Sequence, residues 1–132
     1  MTLLLLCVLA AALMPIVCAG IAKSRGFGKK RRDGGFDNNH PREWLARLTG
    51  WQARANAAQA NSFEALPFFI GAVAIALAAG ADAQRLSLLA LAWVLLRAAF
   101  VALYLADKAN ARSLVWTAAV AVNIAILFSA AT

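Results

Sequence analysis

Four long apolar segments run along the 132-residue chain, with polar stretches between them. They cover about residues 2–22, 62–80, 86–106 and 113–131, and each is close to the roughly 20 residues that an α-helix needs to cross a bilayer. Leu and Ala dominate them, and they lack the period-2 alternation of strands. The pattern predicts an all-α fold: a single domain over residues 1–132 that forms an integral membrane four-helix bundle.

The second helix is predicted to begin well before its apolar part. Pro41 precedes REWLARLTGWQARA, and Pro is favoured in the first turn of a helix, so we expect one helix over residues 42–80. Its first turns would lie in or above the headgroup layer, for which Trp44 and Trp51 are typical residues. Pro67 is expected to kink this helix inside the membrane.

The first segment has a second interpretation, a cleaved signal peptide with VCA before Gly20 as its cleavage site. Two observations favour a transmembrane helix. No Lys or Arg precedes the apolar run, and the basic residues follow it, which is the reverse of the charge order in a signal peptide. Cys7 and Cys18 would lie about 16 Å apart along this helix, too far for a disulfide, so we interpret both as small packing residues.

The distribution of charge predicts an orientation. The formal net charge is +7, and the second loop holds only Arg85, whereas the third loop, ADKANARS, holds Lys108 and Arg112. Positively charged loops stay in the cytoplasm, so both termini are expected outside the cytoplasm. With anionic lipid as the partner of the basic run GKKRR, no nucleic-acid partner is needed to explain the charge. Most of the positive charge that sets this orientation lies in the first loop, in Lys23, Arg25, Lys29, Lys30, Arg31, Arg32 and Arg42.

Polar residues interrupt the start of the second apolar segment, in RANAAQANSFEALPFF. Arg54, Asn61 and Glu64 follow one another at intervals of seven and three residues, which places them on one face of a helix. Glu64 falls about one turn inside the cytoplasmic boundary of the membrane, by a rise of about 1.5 Å per residue. A polar stripe at this depth must face protein or water.

Helices three and four carry further polar residues at matching depths. Arg97 and Tyr104 are seven residues apart on one face, and Asn123 lies at about the depth of Arg97. Two interpretations remain open. In one, Glu64 pairs with Arg97 only to hold two helices together, and Asn123 is an interhelical hydrogen-bond partner. In the other, these residues form a functional site.

With these residues the chain resembles the MAPEG family, the membrane-associated proteins in eicosanoid and glutathione metabolism. RANAAQANSFEALPFF is similar to the family's second-helix pattern of Arg, then Asn-x-x-Glu, then Pro three residues later. RAAFVALYLADKANARS is similar to the family's third helix and following loop, and FDNNHPRE resembles the shorter bacterial members. The resemblance covers nearly the whole chain, and it implies a homotrimer in a bacterial inner membrane.

The resemblance also implies a ligand and the residues that handle it. Glutathione would be the co-substrate, bound between neighbouring subunits near the cytoplasmic face. Arg112 would be the cation that stabilises the thiolate, although it could equally anchor the helix end to lipid phosphate. By the same resemblance the catalytic residues are Arg112, Tyr104 and Ser113, and the glutathione-binding residues are Arg54, Gln59, Asn61, Glu64 and Arg97.

Two functions therefore compete. The first is a membrane glutathione transferase-like enzyme that conjugates or reduces hydrophobic electrophiles, with the thiolate as nucleophile. The alternative is a non-catalytic MAPEG-like protein that binds a lipid or a protein partner. It gains weight because Ala57, Ala65 and Phe100 stand where well-studied members have Arg or Tyr. A transporter is disfavoured because the polar residues cluster at one membrane face. Asp37 and His40 are too few for a metal site, so no metal is expected.

Overall fold

The computed structural model describes residues 1–131, and the regular structure within this range is entirely helical. Thr132, the last residue of the predicted domain, lies outside the described residues. Within residues 1–131, four helices are long and apolar enough to cross a membrane: α1, α3, α4 and α5. The predicted all-α bundle of four membrane-spanning helices is thereby confirmed. The helices are α1 (Thr2–Lys23), α2 (Pro41–Ala46), α3 (Gly50–Ala78), α4 (Ala83–Leu105) and α5 (Ala109–Leu127).

The second helix differs from the prediction of one helix over residues 42–80. The chain forms two helices there, α2 and α3, because helical structure stops over residues 47–49. Thr49 has an extended backbone, with φ −129° and ψ 169°, and Gly50 has a φ of +59°. Only Gly adopts such a positive φ without steric cost, so the Thr-Gly pair is a natural place to interrupt a helix. This corrects the prediction, although Pro41 does lie in the first turn of α2 as expected.

Helices α4 and α5 both begin earlier than the apolar pattern predicts. Helix α4 begins at Ala83 instead of residue 86. The carboxylate of Asp82 accepts a hydrogen bond from the backbone N–H of Arg85 at 2.8 Å, which caps the N-terminus of α4. Helix α5 begins at Ala109 instead of residue 113 and ends at Leu127 instead of residue 131. Arg112 and Ser113 therefore lie within α5, and helical geometry sets the direction of their side chains.

Small buried residues, several larger aliphatic ones and one aromatic pair form the core of the bundle. Helix α1 packs mainly on α3, and α4 mainly on α5, while α3 also contacts both α4 and α5. Small side chains let membrane helices approach closely. Phe69 and Trp93 stack face to face between α3 and α4, with ring centroids 4.0 Å apart. The buried alanines of the core are Ala11, Ala72, Ala76, Ala90 and Ala119.

The basic segment between α1 and α2 is folded back on itself and is not an open loop. The ring of Phe36 meets that of Trp44 edge to face at 5.3 Å, and the ammonium of Lys23 lies 4.4 Å from the centroid of the Phe36 ring. A Cβ at Gly26 would come within 2.6 Å of the Trp44 ring, so only glycine fits there. The aromatic contacts hold this segment close to the end of α1.

Candidate functional site

A cavity of about 400 Å³ opens at the end of the bundle where α4 stops and α5 begins. Three helices contribute to its walls. On α5 the lining residues recur at intervals of three and four, which places them on one helix face. The cavity thus brings together four of the residues predicted from the sequence, together with Phe100, Trp116 and Thr117. Those four are Asn61, Tyr104, Arg112 and Ser113.

Arg112 stands directly over an aromatic ring in this cavity. Its guanidinium carbon lies 4.1 Å from the centroid of the Tyr104 ring. Tyr104 is itself set edge to face against Phe100, with centroids 5.5 Å apart and planes at 78°. A cation–π contact fixes a guanidinium while its remaining N–H groups stay available. The cavity therefore has a cation held over the Tyr104 ring, and the side chains of Tyr104 and Ser113 line the same cavity.

A buried guanidinium organises the wall of the cavity formed by α3. Arg97 is only 1% exposed, and its Nη2 donates hydrogen bonds to Asn61 Oδ1 at 2.9 Å and to Ser62 Oγ at 3.4 Å. The amide nitrogen of Asn61 in turn approaches Glu64 Oε2 at 3.5 Å. We call the chain from Arg97 through Asn61 to Glu64 the polar relay. It links α4 to α3 through a neutral amide.

The direct ion pair between Glu64 and Arg97, one of the two interpretations left open by the sequence, is not formed in the described chain. Glu64 is exposed at the surface of α3, and Arg97 faces Asn61 and the ring of Phe100, whose centroid lies 4.3 Å from the guanidinium carbon. Asn123 is buried, but its side-chain oxygen finds no hydrogen-bond partner among the described residues. That oxygen therefore does not join α5 to a neighbouring helix within the chain.

Of the five predicted glutathione-binding residues only Asn61 lines this cavity, since Glu64 and Arg97 line a separate one and the other two lie elsewhere. Arg54 donates from Nε to the carbonyl of Leu105 at 3.1 Å, and its Nη1 lies 3.8 Å from Asp107 Oδ2. The last carbonyls of a helix have no partner within it, so Arg54 closes the C-terminus of α4. Gln59 holds a buried side-chain oxygen with no partner among the described residues. Neither residue is among the described residues that line the cavity.

Sequence reasoning missed Trp116 and Thr117, although helical periodicity contains the signal for both. Trp116 and Thr117 follow Ser113 by three and four residues, so on a helix that includes Ser113 they share its face. The hydroxyl of Thr117 donates to the Ser113 carbonyl at 3.0 Å, so its direction is set by the backbone of α5. The predicted helix over residues 113–131 already contained this relationship, and the earlier start of α5 adds Arg112, four residues before Trp116, to the same face.

Asp37 organises the basic segment outside the membrane. Its carboxylate accepts a hydrogen bond from the backbone N–H of Asn39 at 3.0 Å, and lies 3.3 Å from both Arg31 Nε and His40 Nδ1. The Asn39 N–H, followed by the His40 and Arg31 side chains, holds the pKa of Asp37 below its ordinary value. Over residues 1–131 no group of three metal-ligating side chains comes together. The interactions of Asp37 are those of a loop-stabilising residue.

Comparison with known proteins bears on the whole chain. The family model described as "MAPEG family" matches residues 3–132, so the match takes in the five helices except the first residue of α1, and every residue of the cavity. No curated protein and no solved structure matches the chain.

Proposed function

Because the chain belongs to the MAPEG family, we propose that it is a membrane glutathione transferase-like enzyme that conjugates or reduces hydrophobic electrophiles. Membership makes it a membrane protein of the family concerned with glutathione and eicosanoid metabolism. One observation carries the step to catalysis. Arg112, Tyr104, Ser113 and Asn61, from three different helices, line a single cavity of about 400 Å³.

The proposed chemistry is activation of the glutathione thiol. The thiolate is the nucleophile, and a nearby cation increases the fraction of thiol that is ionised. Arg112 supplies this cation, and the hydroxyls of Tyr104 and Ser113 donate hydrogen bonds to the sulfur. In conjugation the thiol proton leaves to water and the sulfur attacks an electrophilic carbon. The new C–S bond forms as the leaving group departs with its electron pair.

Charge complementarity supports glutathione as the co-substrate. Glutathione has two carboxylates and one ammonium, and so a net single negative charge before the thiol ionises. The cavity and the polar relay together hold Arg97, Arg112 and Glu64, a net single positive charge. Arg112 is partly exposed and can bind a carboxylate or the sulfur, whereas Arg97 is too deeply buried for direct contact. We therefore assign Arg97 to holding Asn61, and Arg54 to closing α4.

Exposure of Glu64 supports a contact between subunits with glutathione bound there, in the homotrimer that the family resemblance implies. In the single chain Glu64 lies at the surface of a membrane-spanning helix, between the exposed side chains of Phe63 and Phe68. A carboxylate facing lipid is costly, so this face of α3 calls for a protein or ligand partner. A second copy of the chain would cover it, and the ammonium of glutathione would meet Glu64 at that interface.

We further propose that the cavity faces the cytoplasm of a bacterium and that both termini lie on the outer side of the inner membrane. Arg112, Lys108 and the basic segment before α3 lie on the cavity side, whereas the opposite end of the bundle has a single Lys or Arg, Arg85 in the first turn of α4. A reporter that works only in the periplasm, fused after residue 132, tests this. We expect this periplasmic reporter to be active. If a reporter that works only in the cytoplasm is active at the same position instead, the orientation is the opposite of the one proposed.

The alternative is a non-catalytic member of the family that binds a lipid. Phe100 lines the first cavity at a position where well-studied members of the family have Tyr, so the cavity has one hydroxyl fewer than theirs. A second cavity of about 420 Å³ lies between α1 and α4. Its walls are almost wholly apolar, with Met14, Val17, Val94 and Val101 among them. Such a groove suits an acyl chain, and a lipid bound there would need no thiol chemistry.

Calorimetric titration of the full chain, in a detergent that preserves its oligomer, separates the two functions. We expect glutathione and S-hexylglutathione to bind, and Arg112→Ala to weaken binding by about tenfold, as loss of a hydrogen bond to a charged group does. Arg85→Ala, at the other end of the bundle, is the matched control and should leave binding unchanged. No heat of binding at millimolar glutathione would favour the lipid-binding alternative.

A further inference from the structure

A third cavity lies deeper in the bundle, between α3, α4 and α5, with a volume of about 150 Å³. Its walls are mostly apolar and aromatic, but two polar side chains that are almost fully buried reach it. Arg97 is 1% exposed and Asn123 is 3% exposed. Phe68, Trp93 and Trp116 also line it, and Glu64, which is exposed at the surface of α3, lies at its border.

Each of the two buried side chains has one atom without a partner among the described residues. For Arg97 this is Nε, a donor, and for Asn123 it is Oδ1, an acceptor. A buried polar atom that makes no hydrogen bond is costly, more so next to a charge. Both residues line the same cavity, so one occupant that accepts from Arg97 and donates to Asn123 would satisfy both.

Water has these properties and fits the space. It accepts and donates hydrogen bonds at once, and a cavity of 150 Å³ has room for it, since one water takes up about 30 Å³ in the liquid. A small anion would be attracted by Arg97, but it has no proton to donate to Asn123 Oδ1, and the Glu64 carboxylate would repel it. An apolar occupant would leave both polar atoms unpaired.

We propose that this cavity is a buried water site within the membrane, in which water accepts the Nε–H of Arg97 and donates to Oδ1 of Asn123. The water extends the polar relay to α5, so that Asn123, water, Arg97, Asn61 and Glu64 form one continuous set of hydrogen bonds across three helices. It explains why Asn123 is polar although it faces the core. The inference does not depend on glutathione, because every group it uses belongs to the chain or is water.

The relay gives Asn123 a role at a distance. When Nε of Arg97 is held by water, the guanidinium plane is fixed, and its Nη2 points at Asn61 Oδ1. Because Asn61 Oδ1 accepts from Arg97, the orientation of the Asn61 amide is fixed, and its N–H groups point towards the carboxylate of Glu64. Asn123 is therefore a positioning residue for the carboxylate of Glu64, through water and two intervening side chains.

A structure of the full chain in lipid nanodiscs, at a resolution that shows ordered water, is the direct test. We expect a water peak within hydrogen-bonding distance, about 2.7–3.2 Å, of both Arg97 Nε and Asn123 Oδ1. A cavity without density would overturn the proposal. An anomalous signal in the cavity after bromide exchange would also overturn it, because the occupant would then be an anion.

Radiolytic hydroxyl labelling tests the same site in solution, because buried water produces radicals next to the side chains it touches. Trp93 is 3% exposed and lines the cavity, so its labelling reports water there. Asn123→Leu, which removes the acceptor, should lower Trp93 labelling at least threefold, whereas Asn123→Ser, which keeps a small polar group, should preserve it. Asn110→Leu, on the exposed first turn of α5, is the matched control and should have no effect. Equal labelling in all four proteins would contradict the water site.

Discussion

Arg97 Nη2 lies 2.9 Å from Asn61 Oδ1, and this hydrogen bond, not an ion pair with Glu64, joins α4 to α3. A charged group that is almost fully buried is here solvated by a neutral amide, a serine hydroxyl and the face of Phe100. The arrangement leaves Glu64 without an ion pair to the residue that holds the two helices together. Glu64 keeps its carboxylate at the surface of α3 because Arg97 does not take it.

The hydrogen bond between Arg97 and Asn61 should give a measurable coupling energy. In a double-mutant cycle with Arg97→Met and Asn61→Ala, we expect the two losses of unfolding free energy to be non-additive by about 1–2 kcal/mol, since the donor is charged. Thermal unfolding in one detergent measures each step. The matched cycle of Arg97→Met with Asn110→Ala should be additive within about 0.5 kcal/mol. Additivity in both cycles would contradict the assigned hydrogen bond.

Glu64→Gln should separate ligand binding from stability. The substitution keeps the shape and removes the charge, and Glu64 has no ion pair with Arg97 to lose. We expect glutathione affinity to fall about tenfold. The thermal midpoint and the oligomeric state, measured on the same preparation, should hardly change. A fall in the midpoint with unchanged affinity would instead show that Glu64 serves only to hold helices together.

Arg112→Ala should reduce the amount of bound thiolate. If the guanidinium over Tyr104 stabilises the thiolate by about 1.4 kcal/mol, its loss lowers the ionised fraction about tenfold at a pH where the thiol is mostly protonated. Ultraviolet absorbance of the thiolate, at saturating glutathione, measures this fraction. Lys108→Ala, one turn away and exposed, controls for a general loss of positive charge. Unchanged absorbance with glutathione still bound would remove Arg112 from the mechanism.

The basic segment before α2 should loosen in acid because of Asp37. The pKa of Asp37 is lowered in the folded chain, chiefly by the Asn39 N–H, so its stabilisation is full above the ordinary Asp pKa of about 3.9. It is lost as the pH falls through the lowered value. Amide hydrogen exchange over residues 24–40, corrected for intrinsic rates, should therefore rise below pH ~4. Asp37→Asn should exchange faster already at pH 6 and respond little to acid, whereas Asp33→Asn should behave like the parent.

Much of the architecture followed from the sequence because it depends on local properties. A helix crosses the membrane when enough consecutive side chains are apolar, and residue order alone shows this. Spacing along one helix likewise placed Tyr104 on the face of Arg97, as the structure has it. Motif resemblance then led to the MAPEG family, which the match over residues 3–132 establishes.

The tertiary structure decided which partners the polar side chains find. Arg54, Asn61 and Glu64 share one helix face, yet their side chains have different surroundings. Arg54 donates to a carbonyl at the C-terminus of α4, Asn61 accepts a hydrogen bond from Arg97, and Glu64 remains exposed. The spacing of these residues along the sequence does not predict which partner each of them finds. The partners depend on how neighbouring helices are rotated and shifted against one another, and on which carbonyl or amide then falls within about 3 Å of each donor. The break before Gly50 is of the same kind. A positive φ at one glycine interrupts helical hydrogen bonding, although the residues on either side favour a helix.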